Sequence, residues 1–74
     1  MNNERRKLIA EAIDYVEQAK NLLDAAKEEE QECFDNLPEG LQQSERGQQM
    51  EENVSTLESA VDALDEAVSG LDEI

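Results

Sequence analysis

The last 21 residues of this chain repeat one pattern three times, with Val, Leu and Ala at the first, fourth and seventh places of each heptad. Only Ile74 departs from the pattern. Side chains spaced in this way form one apolar strip along an α-helix, and such a strip must be covered by another helix. The repeating residues are Val54, Leu57, Val61, Leu64, Val68 and Leu71. The repeat therefore predicts a long helix packed against a second one.

The length of 74 residues allows one small domain. A domain of this size buries a modest share of its surface, so its core is marginal unless chains associate. The apolar residues are mostly Ala, Leu, Val and Ile, and the chain has one Pro and no Trp. This composition favours helices. We therefore expect an all-α fold that forms oligomers.

A second periodic segment covers residues 3–35, where apolar residues recur at spacings of three and four. In heptad lettering, the a positions are Ile9, Val16 and Leu23. The d positions are small, which predicts close packing with Cys33 as a buried residue: Ala12, Ala19, Ala26 and Cys33. Leu8, Tyr15 and Leu22 widen the strip at g. Because Glu30 takes an a position, either the helix projects past its partner there or that turn faces solvent.

A break follows at residues 36–44. Pro38 disfavours helical geometry at Leu37 and cannot donate to the preceding turn, although it can open a short helical turn through Gln42. Ser44 is the expected N-cap of a second helix over about 45–72. In that helix the a positions are Gly47 and the three valines, and the d positions are Met50 and the three leucines. A larger residue than Gly47 is expected at the first a position.

Each helix would be about 45 Å long at 1.5 Å per residue, so the two match in length. The short connection favours an antiparallel two-helix hairpin, coiled-coil-like, as a single domain over residues 1–74. Because the strips are broad, we expect two hairpins to form a homodimeric four-helix bundle. An antiparallel arrangement also brings together charges that oppose the helix dipoles. These are Arg5, Arg6 and Lys7 in one helix and Asp65, Glu66, Asp72 and Glu73 in the other.

The net charge is −14, from 20 acids and 6 bases. Such a chain repels nucleic-acid phosphates and anionic membranes, so we expect no direct binding to either and a partner with a basic surface. The N-terminal residues lack the apolar stretch of a secretory signal, and no run is long enough to span a membrane. A lone cysteine agrees with a reducing compartment. These features predict a cytoplasmic protein.

No catalytic signature is present, since the chain has no His and the single Cys has no imidazole to activate it. The acid run lacks the ligand spacing of a calcium loop. We therefore expect no enzyme activity, cofactor or metal site. The acid run is either a solvated helix face or a docking surface, and its residues are Glu28, Glu29, Glu30, Glu32 and Asp35. Further candidate contacts for a partner are Tyr15, Phe34, Leu37 and Leu41.

The valine and leucine strips allow two interpretations. They can bury each other within the protein, or they can leave an open groove that captures a host helix. The two interpretations are compatible.

Residues 36–51 read NLPEGLQQSERGQQME and precede the acidic V-x-x-L repeat. Over about half its length, the chain resembles small acidic proteins encoded by phages and integrated elements of Gram-positive bacteria. These proteins share an N-[LM]-P-E-x-L-Q segment, then S-E-R, then a repeating acidic helix. The resemblance implies an origin in a mobile element and no known activity.

Small non-catalytic acidic phage proteins often bind one host protein stoichiometrically. The resemblance therefore implies an inhibitor of a host bacterial protein, such as an immune-defence effector, that binds through an acidic helical surface. Two alternatives remain open. One is a structural or scaffold coiled-coil protein of a phage, and the other is an accessory regulator that binds a basic DNA-binding protein.

Overall fold

The computed structural model describes Met1–Ile74, and 88% of the chain is helical with no strand. Helix α1 spans Asn3–Asp35, the short α2 spans Glu39–Gln42, and α3 spans Glu45–Asp72. The prediction of an all-α fold is confirmed. Asn2 caps α1 because its side-chain oxygen accepts the Arg5 backbone N–H at 2.9 Å. The bounds of α1 and α3 coincide with the two periodic segments.

The two long helices lie side by side in an extended pair, and the residues in contact are numbered in opposite order along the two helices. Lys20 of α1 contacts Asp65, whereas Glu30 accepts a hydrogen bond of 2.8 Å from the Asn53 amide nitrogen. A higher number in α1 thus pairs with a lower number in α3. The resulting rod measures 58 × 15 × 12 Å.

The interface between α1 and α3, which we call the seam, consists of one row of residues from each helix at alternating spacings of three and four. In α3 these residues are buried or half-buried, and they are Gly47, Met50, Val54, Leu57, Val61, Leu64, Val68 and Leu71. Met50 and Val61 are only 9% exposed. The row of α1, half-buried throughout, is Ile9, Ile13, Val16, Lys20, Leu23, Lys27, Glu30 and Phe34, and the half-buried Leu37 of the connection continues it.

The seam corrects the predicted heptad lettering of α1. The residues lettered a do face α3, but Ala12, Ala26 and Cys33 at the predicted d positions are exposed. The row one residue later is half-buried in their place. That row offers the bulk of Ile13 and Phe34 and the methylene stems of two lysines, and it covers more of α3 than alanines can.

Polar contacts occupy the middle of the seam. The Lys20 ammonium lies 3.3 Å from Glu17 Oε2 and also contacts Asp65, and the Asp65 carboxylate holds the pKa of Lys20 above its ordinary value of 10.5. The Lys27 ammonium lies 4.0 Å from Asp24 Oδ1. The helix does not project past α3 at Glu30, whereas the turn does face solvent except at Glu30 itself: Glu28, Glu29, Gln31 and Glu32 are exposed and Glu30 is half-buried. The hydrogen bond from Asn53 lets this half-buried carboxylate lie in the seam.

The connection between α1 and α3 is held by side chains. The Gln42 amide nitrogen donates to the carbonyl oxygens of Leu37 at 3.1 Å and Phe34 at 3.3 Å. Ser44 caps α3 by accepting the Gly47 backbone N–H at 3.3 Å. These bonds use the orphan donors and acceptors that a helix end leaves.

The expectation of a larger residue at Gly47 was wrong because α2 passes against this position. A Cβ there would overlap the Gln42 carbonyl oxygen and lie 2.7 Å from the Leu41 carbonyl oxygen. Gly47 has no unusual backbone conformation, so close approach alone explains the glycine.

At the far end of the rod, Arg6 and Asp72 line one hollow together with Ile9, Ile13 and Leu71. No ion pair joins Arg5, Arg6 or Lys7 to an acid of α3. Of the predicted charges, Arg6 and Asp72 therefore meet at one end without forming a contact pair, whereas Asp65 lies farther along the rod against Lys20. No helix has the length and apolar character required to cross a membrane.

Candidate protein-binding faces

One side of the rod is formed, in both long helices, by the residues that lie one position before each seam residue. In α1 the row is apolar apart from Glu29, and its members are Leu8, Ala12, Tyr15, Ala19, Leu22, Ala26, Glu29 and Cys33. The three large side chains are open to solvent, with Leu8 66%, Tyr15 63% and Leu22 73% exposed. This row continues the heptad spacing of the seam but has no helix against it.

The corresponding row of α3 begins with Arg46 and Gln49 and continues with small side chains, namely Asn53, Thr56, Ala60, Ala63, Ala67 and Gly70. Because the contacts between the helices run in opposite order, a step of one residue toward the N-terminus turns both rows to the same side of the rod. A shared hollow agrees with this placement, since Ala26 and Cys33 line it together with Asn53 and Thr56. We call these two rows the apolar face.

The opposite side is formed by the residues that lie one position after each seam residue. In α1 this row contains Asp14, Glu17, Asp24, Glu28, Gln31 and Asp35, and in α3 it contains Glu51, Ser55, Glu58, Asp62, Asp65 and Asp72. Glu28, Asp35 and Glu58 line one hollow. We call this surface the acidic face.

Few of the carboxylates are neutralised. Only Glu17, Asp24 and Asp65 among the 20 acids lie within 4.0 Å of a basic nitrogen. Two of the six bases, Lys20 and Lys27, make all of these pairs. All three paired acids lie on the acidic face, and its other carboxylates, among them Glu28, Asp35, Glu58 and Asp62, are unpaired and can meet a protein that approaches.

The five acids predicted as one docking surface point in three directions. Glu28, Glu32 and Asp35 line the hollow on the acidic face. Glu29 lies on the apolar face, and Glu30 is engaged with Asn53 in the seam. The separation follows from helix geometry, because consecutive residues are turned by about 100° from one another.

The four predicted apolar contacts also lie in different places. Tyr15 is exposed on the apolar face, and Leu41 is 52% exposed on α2. Phe34 and Leu37 are half-buried at the connection end of the seam, where Gln42 bonds their carbonyl oxygens. Tyr15 and Leu41 are therefore the two that a partner could reach directly.

Cys33 is exposed on the apolar face, so the expectation of a buried cysteine is wrong for the single chain. The prediction placed Cys33 at a d position facing the other helix, but the residue that lies in the seam is the next one, Phe34. No group of three or more Cys, Asp or Glu side chains is arranged to hold a metal ion.

Sequence reasoning missed Lys20, Lys27 and Asn53. The available signal was their spacing, since Lys20 and Lys27 continue the row begun by Ile13 and precede Phe34 at intervals of seven. Comparisons with protein-family models, with curated proteins and with solved structures found no match. The arrangement of these faces therefore carries the functional argument.

Proposed function

We propose that the protein is a non-catalytic binding module that attaches stoichiometrically to a basic surface of another protein. The observation that carries this proposal is the acidic face, on which unpaired carboxylates recur along both helices. A surface of this kind attracts a positively charged partner and speeds its association.

The charge density of the rod suggests the kind of basic surface. A net charge of −14 over 58 Å corresponds to about one negative charge per 4 Å. A single nucleic-acid strand carries about one phosphate per 3.4 Å. A rigid rod of similar linear charge can occupy a channel that evolved to hold nucleic acid, and it would thereby block that channel.

The fold proposed for this role is an antiparallel hairpin that dimerises into a four-helix bundle. Two rods side by side carry twice the charge over the same length, about one charge per 2 Å, which is near the duplex value of about 1.7 Å. The resemblance to acidic proteins of phages and integrated elements supports a host bacterial protein, such as an immune-defence effector, as the target. Inhibition of that target is the proposed biological outcome.

The test compares two quadruple variants with equal net charge. The face variant is Glu28→Gln, Asp35→Asn, Glu58→Gln and Asp62→Asn. The control variant neutralises four exposed acids away from the acidic face, namely Glu11→Gln, Glu45→Gln, Glu52→Gln and Glu66→Gln. Each tagged protein is used to capture partners from a Gram-positive host lysate, and mass spectrometry identifies the proteins retained.

We expect the wild-type and control proteins to retain the same basic partner, which double-stranded DNA should displace. The face variant should associate with that purified partner at least about tenfold more slowly, because its steering charges are gone. Binding that survives both the face substitutions and high salt would refute the proposal. Contacts would then have to come from exposed apolar residues outside the dimer interface, such as Leu41.

A further inference from the structure

The covered row of α1 is more polar than its uncovered row. The seam contains Lys20, Lys27 and Glu30, whereas the α1 row of the apolar face contains one charged residue, Glu29. Burial of apolar surface is the main favourable term in helix association. A single rod therefore leaves the more apolar of the two α1 rows exposed to water. Burial of this row against another helix would be favourable.

We infer that a second copy of this chain covers the apolar face, with α1 packed antiparallel against α1 of that copy. The inference rests on the association proposed above and supplies its surface, direction and register. The acidic faces of both copies remain outward in this arrangement. It does not involve the basic partner, so purified protein alone can test it.

The register follows from side-chain size. When the dyad lies between Ala19 and Leu22, each large residue of the row meets a small one of the second copy. Leu22 then faces Ala19, Tyr15 faces Ala26, and Leu8 faces Cys33. Such alternation of large and small residues lets two helices approach closely without voids. The same patch serves both copies, as a twofold interface requires.

Charge selects the antiparallel direction. Residues 3–10 carry three bases and one acid, whereas residues 26–35 carry five acids and one base. Antiparallel packing places each basic end of α1 beside the acidic end of the other copy. Parallel packing would place like charges together along the whole length and would be disfavoured.

The apolar face offers a dimer interface of modest size. From Leu8 to Cys33 it is about 38 Å long, and with a width of 15 Å its footprint is roughly 570 Å². Two such faces together bury roughly 1,140 Å², close to the value of about 1,200 Å² at which stable protein interfaces begin. A short peptide would leave most of the row exposed.

The test uses the native Cys33 as a probe of direction. In the proposed register Leu8→Cys lies opposite Cys33 of the second copy, and a disulfide requires Cα atoms within about 7 Å. Within one chain these positions are 25 residues apart on a helix, about 38 Å, so no internal bridge can form. Lys7→Cys is the matched control because the adjacent position points away from the apolar face.

After mild oxidation at low concentration, we expect the Leu8→Cys protein to give at least tenfold more covalent dimer than the Lys7→Cys protein. The wild-type protein should give almost none, because antiparallel packing holds its two Cys33 residues far apart. Efficient bridging of wild-type Cys33 would show a parallel dimer and overturn the proposal. Equal crosslinking of both variants would do the same.

Sedimentation equilibrium supplies an independent measurement. Wild-type protein should have twice the chain mass at micromolar concentration, and Leu22→Glu should shift the dissociation constant upward by at least tenfold. Asn21→Glu adds the same charge at a neighbouring exposed position and should leave a dimer. A monomeric wild-type protein, or equal effects of the two variants, would rule out association through the apolar face.

Discussion

Helix α1 carries two rows with the same seven-residue period, and only one of them contacts α3. The seam row combines apolar residues with Lys20, Lys27 and Glu30, whereas the row beside it consists of Ala, Leu, Tyr and Cys with Glu29 as its one charged residue. The seven-residue period thus identifies the rows of α1 that can pack against another helix, but it does not determine which of them contacts α3. The choice depends on what the opposite helix offers, as Asp65 offers a carboxylate to Lys20 and Asn53 an amide to Glu30.

The strongest test of this comparison removes one leucine from each row. Leu64→Ala should lower the free energy of unfolding by about 2–5 kcal/mol, toward the lower figure because Leu64 is half-buried. Leu22→Ala should change it by less than about 0.5 kcal/mol in the monomer, where Leu22 is exposed. Urea unfolding at concentrations that favour the monomer measures both. Equal losses would show that the two rows are covered alike.

Two glycines provide the second test. Gly47→Ala should destabilise the protein by about 1–3 kcal/mol, since its Cβ would meet the carbonyl groups of α2. Gly70 has open space around it, and Gly70→Ala should stabilise α3 by about 0.5–1 kcal/mol. Urea unfolding of the monomer should therefore give opposite signs. A stable Gly47→Ala protein would mean that α2 does not press on this position.

The smallest effect concerns the pH dependence of the seam. Because folding raises the pKa of Lys20, its contribution to stability is fully present below pH 10.5 and is lost as the pH rises through the raised value. Lys20→Met lacks this component. The free energy of unfolding should therefore fall more steeply for wild type than for the variant between about pH 9 and about pH 12. Parallel curves would mean that Lys20 does not gain its proton affinity from Asp65.

The sequence was sufficient for the helical class and for the α3 row, because Val54 through Leu71 repeat without interruption. It also placed Ser44 at the start of α3. The sequence did not predict the d positions of α1, because Lys20 and Lys27 looked like surface residues. Lys20 lies in the seam because it pairs with Asp65 and Glu17, and a heptad pattern does not show such pairs. Gly47 could not be explained without the position of α2. The five acids looked like one cluster in the sequence, yet the helix separates Glu28, Glu29 and Glu30 onto different sides.

The side-chain bonds of Gln42 have a consequence for how the chain folds. They fasten the end of α1 to the connection through residues only five and eight positions away, so this corner closes at a small cost in loop entropy. Contacts between the helices can then form in order of increasing separation along the chain. We expect folding to start at the connection and to proceed toward the two termini. The connection would then determine the order in which the contacts between the helices form.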